Sequence, residues 1–103
     1  MIYVIAVSEL KPGCRDKFIE IVKNNIPKVH AEDGCISYTL TGDFDSGFAA
    51  QAKDGADVLT FVECWKSIDH LKAHLNAPHM VEFKEKVKDM RLASTLKILE
   101  AVC

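Results

Sequence analysis

Val58-Leu-Thr-Phe-Val-Glu-Cys-Trp65 is apolar at nearly every position, and the stretch from Ile2 to Val7 repeats that character. Side chains of a strand alternate between its faces, so Leu59, Phe61, Glu63 and Trp65 share one side and Val58, Thr60, Val62 and Cys64 the other. The first strand likewise sets Ile2, Val4 and Ala6 against Tyr3, Ile5 and Val7. Strands that are apolar on both faces need cover on both faces. That requirement limits the folds open to the chain more than any other feature.

The remaining segments supply part of the cover. Lys11-Pro12-Gly13 closes the first strand, and Cys14, Phe18, Ile21, Val22, Ile26 and Val29 then recur at helical spacing. Pro27 cannot donate to the carbonyl of Lys23, which predicts a kink or break there, with Gly34 as the final stop. Cys35 to Thr41 alternates as a second strand, with Tyr38 on the face opposite Ser37 and Thr39. Gly42 to Asp57 is long for a link between neighbouring strands. It reads as a surface loop with a helical turn around Phe48 to Lys53, although Phe44 and Phe48 would also suit a lid. After the third strand, Ser67 caps a short helix through Leu75, and Asn76-Ala-Pro78 restarts the chain as another helix with Met80, Val81, Phe83, Val87 and Met90 on its apolar stripe. Ser94 to Val102 closes the chain as a strand.

This order predicts an α+β fold: a ferredoxin-like four-stranded antiparallel sheet with helices on one face, in a single domain over residues 1–103. The helices cover one face only. The other is expected to be covered by a second copy of the chain, which makes the protein a symmetric homodimer.

The formal charge of -2 and a pI near 6.0 argue against nucleic acid or an anionic membrane as partner, leaving small molecules and proteins. No apolar run approaches the roughly 20 residues of a membrane helix, and no leader precedes the first strand, so the expected location is cytoplasmic. Cys14, Cys35, Cys64 and Cys103 are scattered without a Cys-x-x-Cys pair or histidines at zinc-finger spacing, so no metal site is expected and the thiols read as reduced.

Chemistry concentrates around the third strand and the break between the last two helices. Glu63 lies on an aromatic face, where a carboxylate must find a hydrogen-bond partner or take a raised pKa, and either state suits acid–base work. His74 and His79 follow within sixteen positions. Each has a purely structural alternative: Glu63 at the rim of the sheet, Trp65 in the core, His74 buried against a backbone carbonyl, His79 as an exposed helix cap.

Gly34-Cys-Ile-Ser-Tyr38, Phe61-Val-Glu-Cys-Trp65 and His74-Leu-Asn-Ala-Pro-His79 with Phe83 resemble the antibiotic biosynthesis monooxygenase domain family, over nearly the whole chain. The resemblance implies a dimeric α+β barrel. It implies one of three chemistries: oxygenation of quinols and polyketide phenols without a cofactor, isomerisation of a phosphorylated autoinducer-2 sugar, or haem degradation. The haem branch uses an Asn in the first strand, a helix Trp and an axial His. Strand one here has no Asn, and His74 and Lys84 stand where the other two would be. The pattern Glu63, Trp65, His74, Pro78-His79 is closer to the quinol and autoinducer branches.

Taken with that resemblance, the residues suggest a cofactor-independent monooxygenase acting on a small phenolic or quinol-type substrate held between the sheet and the last two helices. Phe61, Trp65 and Phe83 would wall the substrate, Tyr38 and Glu63 would orient it, and His79 or His74 would take its hydroxyl proton. His79 near a helix start would feel the positive end of the dipole and stay neutral. Two other readings compete. An isomerase of a small phosphorylated carbonyl compound would hold phosphate through Lys66, Lys84 or the helix starts near Ser67 and Pro78. A small-molecule-binding dimer would carry no chemistry at all.

Overall fold

The two strands that are apolar on both faces lie side by side at the centre of the sheet. In a computed structural model that describes all 103 residues, β1 (Ile2–Leu10) runs antiparallel to β3 (Val58–Trp65), from Ile2 opposite Trp65 to Glu9 opposite Val58. β2 (Cys35–Thr41) flanks β3 and β4 (Arg91–Leu99) flanks β1, giving the order β2-β3-β1-β4 with every pair antiparallel. Three helices complete the chain: α1 (Arg15–His30), α2 (Ile68–Asn76) and α3 (Pro78–Val87), the last running into a short 3-10 turn at Lys88–Met90. This is the ferredoxin-like α+β arrangement.

Register decides which side chains meet the helices. Val4 lies opposite Glu63, and Glu63 opposite Tyr38, so these three share a face with Leu59, Phe61 and Trp65. All six are buried, with Phe18, Val22 and Val29 of α1, Leu71 of α2 and Met80, Phe83 and Val87 of α3 packed over them. The rings of Phe18, Phe61 and Phe83 meet edge to face, with centroids 6.3 to 6.4 Å apart, so one residue each from α1, β3 and α3 forms the hub.

Two local expectations are corrected and a third, the turn near Phe48, is shortened. α1 runs unbroken through Pro27 to His30; the ring forfeits one donor only three residues from the helix end, and the Pro27 carbonyl still accepts from Ala31 N–H. The last strand is Arg91–Leu99 rather than 94–102, because its ladder spans only what β1 offers, from Leu10 opposite Arg91 to Tyr3 opposite Leu99, with a bulge after Glu9. The segment 42–57 forms no helix beyond a turn in which Gln51 N–H donates to the Phe48 carbonyl. It folds on itself: the Asp43 carboxylate accepts from Asp54 and Gly55 N–H at 2.8 and 2.9 Å, and the Gln51 amide donates to the Phe44 carbonyl. Phe44 and Phe48 point to solvent.

Helices leave the second face of the sheet bare, with Tyr3, Val62 and Leu99 exposed there. Even on the helix side, the cover stops short of the β4 edge, where Leu96 and Ile98 are 52% and 47% exposed. No helix is long and apolar enough to cross a membrane.

Phe18 is fully buried at the aromatic hub, so Phe18→Ala should cost about 3–5 kcal/mol of stability, the range for truncating a large core aromatic. Urea denaturation followed by circular dichroism would register this as a lower midpoint at an unchanged slope.

Candidate active site

The chemistry begins with a carboxylate that folding has forced indoors. Glu63 occupies an inward position of β3 and is 6% exposed. Its partner is two residues along the same face: Trp65 Nε1 donates to Glu63 Oε1 at 2.9 Å. Burial pushes the Glu63 pKa above the ordinary carboxylate range, the indole N–H opposes this, and the nearby charge of Glu32 adds to it.

His74 stacks over that indole. Its ring centroid lies 4.5 Å from that of Trp65, and its edge meets Tyr38 at 5.5 Å. The imidazole is 2% exposed and reaches this place because Ser67 caps α2 by accepting from His70 N–H, which starts the helix in the phase that turns Leu71 and His74 inward.

Nδ1 of His74 lies 2.8 Å from Glu32 Oε2, and the same oxygen is 3.0 Å from His79 Nε2. A carboxylate only accepts, so the His74 proton sits on Nδ1 and a neutral ring keeps its lone pair on Nε2. Burial drives the His74 pKa below its usual value near 6.5, with Glu32 pulling the other way, so the ring is neutral at neutral pH.

Glu32 owes its position to the turn after α1. Its N–H donates to the Val29 carbonyl, and the chain then reverses at Gly34 with φ of +79°. A Cβ at Gly34 would overlap the His70 ring, so glycine is required there on two counts. His70 is thereby half-buried rather than a free surface residue, held by Ser67 Oγ at 2.7 Å and the Asp33 carboxylate at 3.3 Å.

These groups border a cavity of about 360 Å³ between the sheet and the helices α2 and α3. Tyr38, Phe61, Glu63, His74 and Phe83 line it, together with Ser8, Lys84 and Arg91. The Tyr38 phenol is pushed far up by burial and stays protonated, with Arg91 opposing the shift. Arg91 opens β4 and lies over two rings of the hub, its guanidinium carbon 5.6 Å from the centroid of Phe18 and 5.9 Å from that of Phe83. Lys84 Nζ donates to the Leu75 carbonyl at the exposed edge.

Two of the seven expected site residues stand elsewhere. His79 does not line the cavity, because the first turn of α3 points its ring outward to Glu32. Trp65 lies behind Glu63 and His74 rather than as a wall. Conversely, Glu32 and Arg91 were not foreseen. Gly34 as a stop signal placed Glu32 in a turn, but nothing in the spacing links it to histidines 42 and 47 residues onward. Arg91 fell outside the expected last strand. No residue of 43–57 reaches the cavity.

What this arrangement can do chemically is take a proton from a bound hydroxyl at one polar end while the substrate body packs on phenylalanine. Comparison with known proteins identifies the family. Residues 1–86 match the antibiotic biosynthesis monooxygenase family. The chain is 36% identical over 106 aligned residues to the Escherichia coli protein named "Probable quinol monooxygenase YgiN", covering 97% of each sequence. Among solved structures it superposes with a TM-score of 0.84 on an antibiotic biosynthesis monooxygenase, at 21% identity over all of both chains. It superposes with a TM-score of 0.83 on a conserved protein from Methanosarcina mazei, at 23% identity over 96% of this chain and 90% of that one. By sequence and by fold, the chain belongs to the antibiotic biosynthesis monooxygenase family.

Proposed function

We propose that the protein is a cofactor-independent monooxygenase that oxidises a small phenolic or quinol-type substrate with dioxygen, working as a homodimer. The observation that carries this is the Glu32–His74 pair, which aims a neutral, buried imidazole at a cavity bordered by Phe61 and Phe83. A neutral imidazole can take the proton of a bound phenol, and a phenolate gives up an electron more readily than the phenol does. The name of the Escherichia coli relative supports the same class of substrate.

In this reading the substrate ring packs on Phe61 and Phe83 with one hydroxyl at His74 Nε2. His74 takes the hydroxyl proton, and the imidazolium that forms is stabilised by Glu32 across Nδ1. Tyr38 and the carboxyl of Glu63 hold the ring in place by hydrogen bonds. The phenolate then passes one electron to dioxygen, and the resulting pair joins at a ring carbon as a hydroperoxide. Loss of water completes the balance: a hydroquinone and dioxygen give a hydroxyquinone and water. All four electrons that reduce dioxygen come from the substrate, so the protein supplies only binding and proton transfer. His79 acts through Glu32, sharing the oxygen that fixes His74.

The dimer follows from the bare sheet face and from Leu96 and Ile98, which no element of the same chain covers. Sheets packed face to face would remove this apolar surface from water.

Oxygen uptake by the purified protein with hydroquinones should exceed autoxidation, and His74→Ala should lower turnover by roughly a hundredfold or more as general-base catalysis is lost. His79→Ala leaves the Glu32–His74 bond in place and is expected to lose far less. Equal activity in wild type and His74→Ala would remove the imidazole from the mechanism.

The base must be unprotonated to act, so kcat/KM should climb with pH and level off, with the midpoint of the acid limb below 6.5. Glu32 favours the protonated ring, so in Glu32→Gln that limb should move to still lower pH while the plateau rate falls. A limb that stays in place in Glu32→Gln would assign it to another group.

Light scattering at micromolar concentration should return twice the 11.5 kDa chain mass. A monomeric mass would refute the dimer.

A further inference from the structure

Arg91 lines the cavity with a buried donor that the protein leaves unused. Its Nε is buried and has no hydrogen-bond partner, the only such side-chain atom in the structure. No Asp or Glu forms an ion pair with it, although four lysine–carboxylate pairs occur elsewhere in the chain. A guanidinium cannot shed its charge at neutral pH, so burying it without a carboxylate is costly. The ring faces of Phe18 and Phe83 offset part of that cost but accept no N–H hydrogen bond of ordinary strength.

From the cavity side the picture is complementary. Arg91 and Ser8 lie toward β1 and β4, whereas Glu63 and His74 lie on β3 and α2, with Phe61 and Phe83 also in the lining. The cavity therefore has an acid–base group at Glu63 and His74 and a cationic group at Arg91. The only other cation in its lining, Lys84, is exposed and already donates to the Leu75 carbonyl. One free guanidinium matches one negative charge. A phosphate dianion carries twice the charge of the guanidinium, whereas a carboxylate matches it and fits the planar fork.

We infer that Arg91 is a carboxylate-binding residue of the cavity, and that the ligand is a small aromatic acid bearing a ring hydroxyl, with its carboxylate on the guanidinium and its hydroxyl at His74. This rests on the cavity being the substrate site and names the class of phenol it takes. Uncharged phenols of the same size then bind more weakly, because they leave the guanidinium charge without a partner.

The test is binding of 2,5-dihydroxybenzoate and of its methyl ester, measured by calorimetry under nitrogen so that no oxidation intervenes. Wild type should bind the acid roughly tenfold to a hundredfold more tightly than the ester, as a charge-assisted hydrogen bond is worth. Arg91→Met should erase that preference, and Arg91→Lys should keep part of it, since it retains the charge without the fork. Equal binding of acid and ester by wild type, binding of neither, or a preference that survives Arg91→Met would overturn the assignment; the first two need no variant to fold. A preference lost in Lys84→Met but kept in Arg91→Met would likewise overturn it. Oxygen uptake with uncharged hydroquinones separates this from the reaction itself. Uptake without an acid preference would sink the carboxylate subsite alone, and acid preference without uptake of any substrate would sink the oxygenase alone.

Discussion

The site depends on one constraint: β3 carries a carboxylate on the face that folding buries. Glu63 cannot be moved outward without flipping Leu59, Phe61 and Trp65 with it, because all four share one parity of the strand. The protein therefore has to satisfy the carboxyl where it is, and the residue two positions on does so with an indole N–H. That bond fixes the plane of Trp65, and the plane of Trp65 supplies the surface on which His74 lies. His74 in turn needs a partner for Nδ1, which Glu32 provides from the turn that leads into β2. Removing any one member strands a buried polar group on the next, so the chain of contacts holds together as a unit.

The same sequence of contacts explains how the two carboxylates divide the work. Glu63 meets a neutral donor and is pushed toward its protonated form, whereas Glu32 faces two imidazoles from the edge of the core. The result is a buried neutral imidazole beside a carboxyl whose pKa is raised. Groups of opposite tendency set side by side in one cavity are what proton transfer to and from a single substrate requires.

Much of this was legible from local pattern, and the rest was hidden for identifiable reasons. The alternation of Val58 to Trp65 placed Glu63 and Trp65 on one buried face, and the break at Asn76-Ala-Pro78 divided α2 from α3, because both signals act within a few residues. Pro27 misled because a proline near a helix end sacrifices only one hydrogen bond, which packing of Val22, Asn25 and Val29 outweighs. Glu32 was invisible because its partners are brought to it by the sheet crossing rather than by sequence. His79 was misassigned for a related reason: the direction of a first-turn side chain depends on how α3 is rotated against α1, and no periodicity of ten residues settles that. Arg91 was lost with the start of β4, which is set by the length of β1 and not by its own propensity.

The position of Arg91 also ties the site to the uncovered sheet. It is the only residue of β4 that is even partly buried, and the strand it opens is otherwise exposed along its length. Ser94, Thr95 and Leu96 nonetheless line the cavity, so one wall of the site belongs to an edge strand that a single chain leaves in water. An edge strand with Leu96 and Ile98 bare on one face and Leu99 bare on the other is prone to pairing. Cover from a second copy would hold that wall still and seal the guanidinium end of the cavity from solvent, which strengthens any charge interaction there. Any partner that covers the bare sheet would thus also touch the site through β4, because the exposed apolar surface is continuous with the wall that holds Arg91.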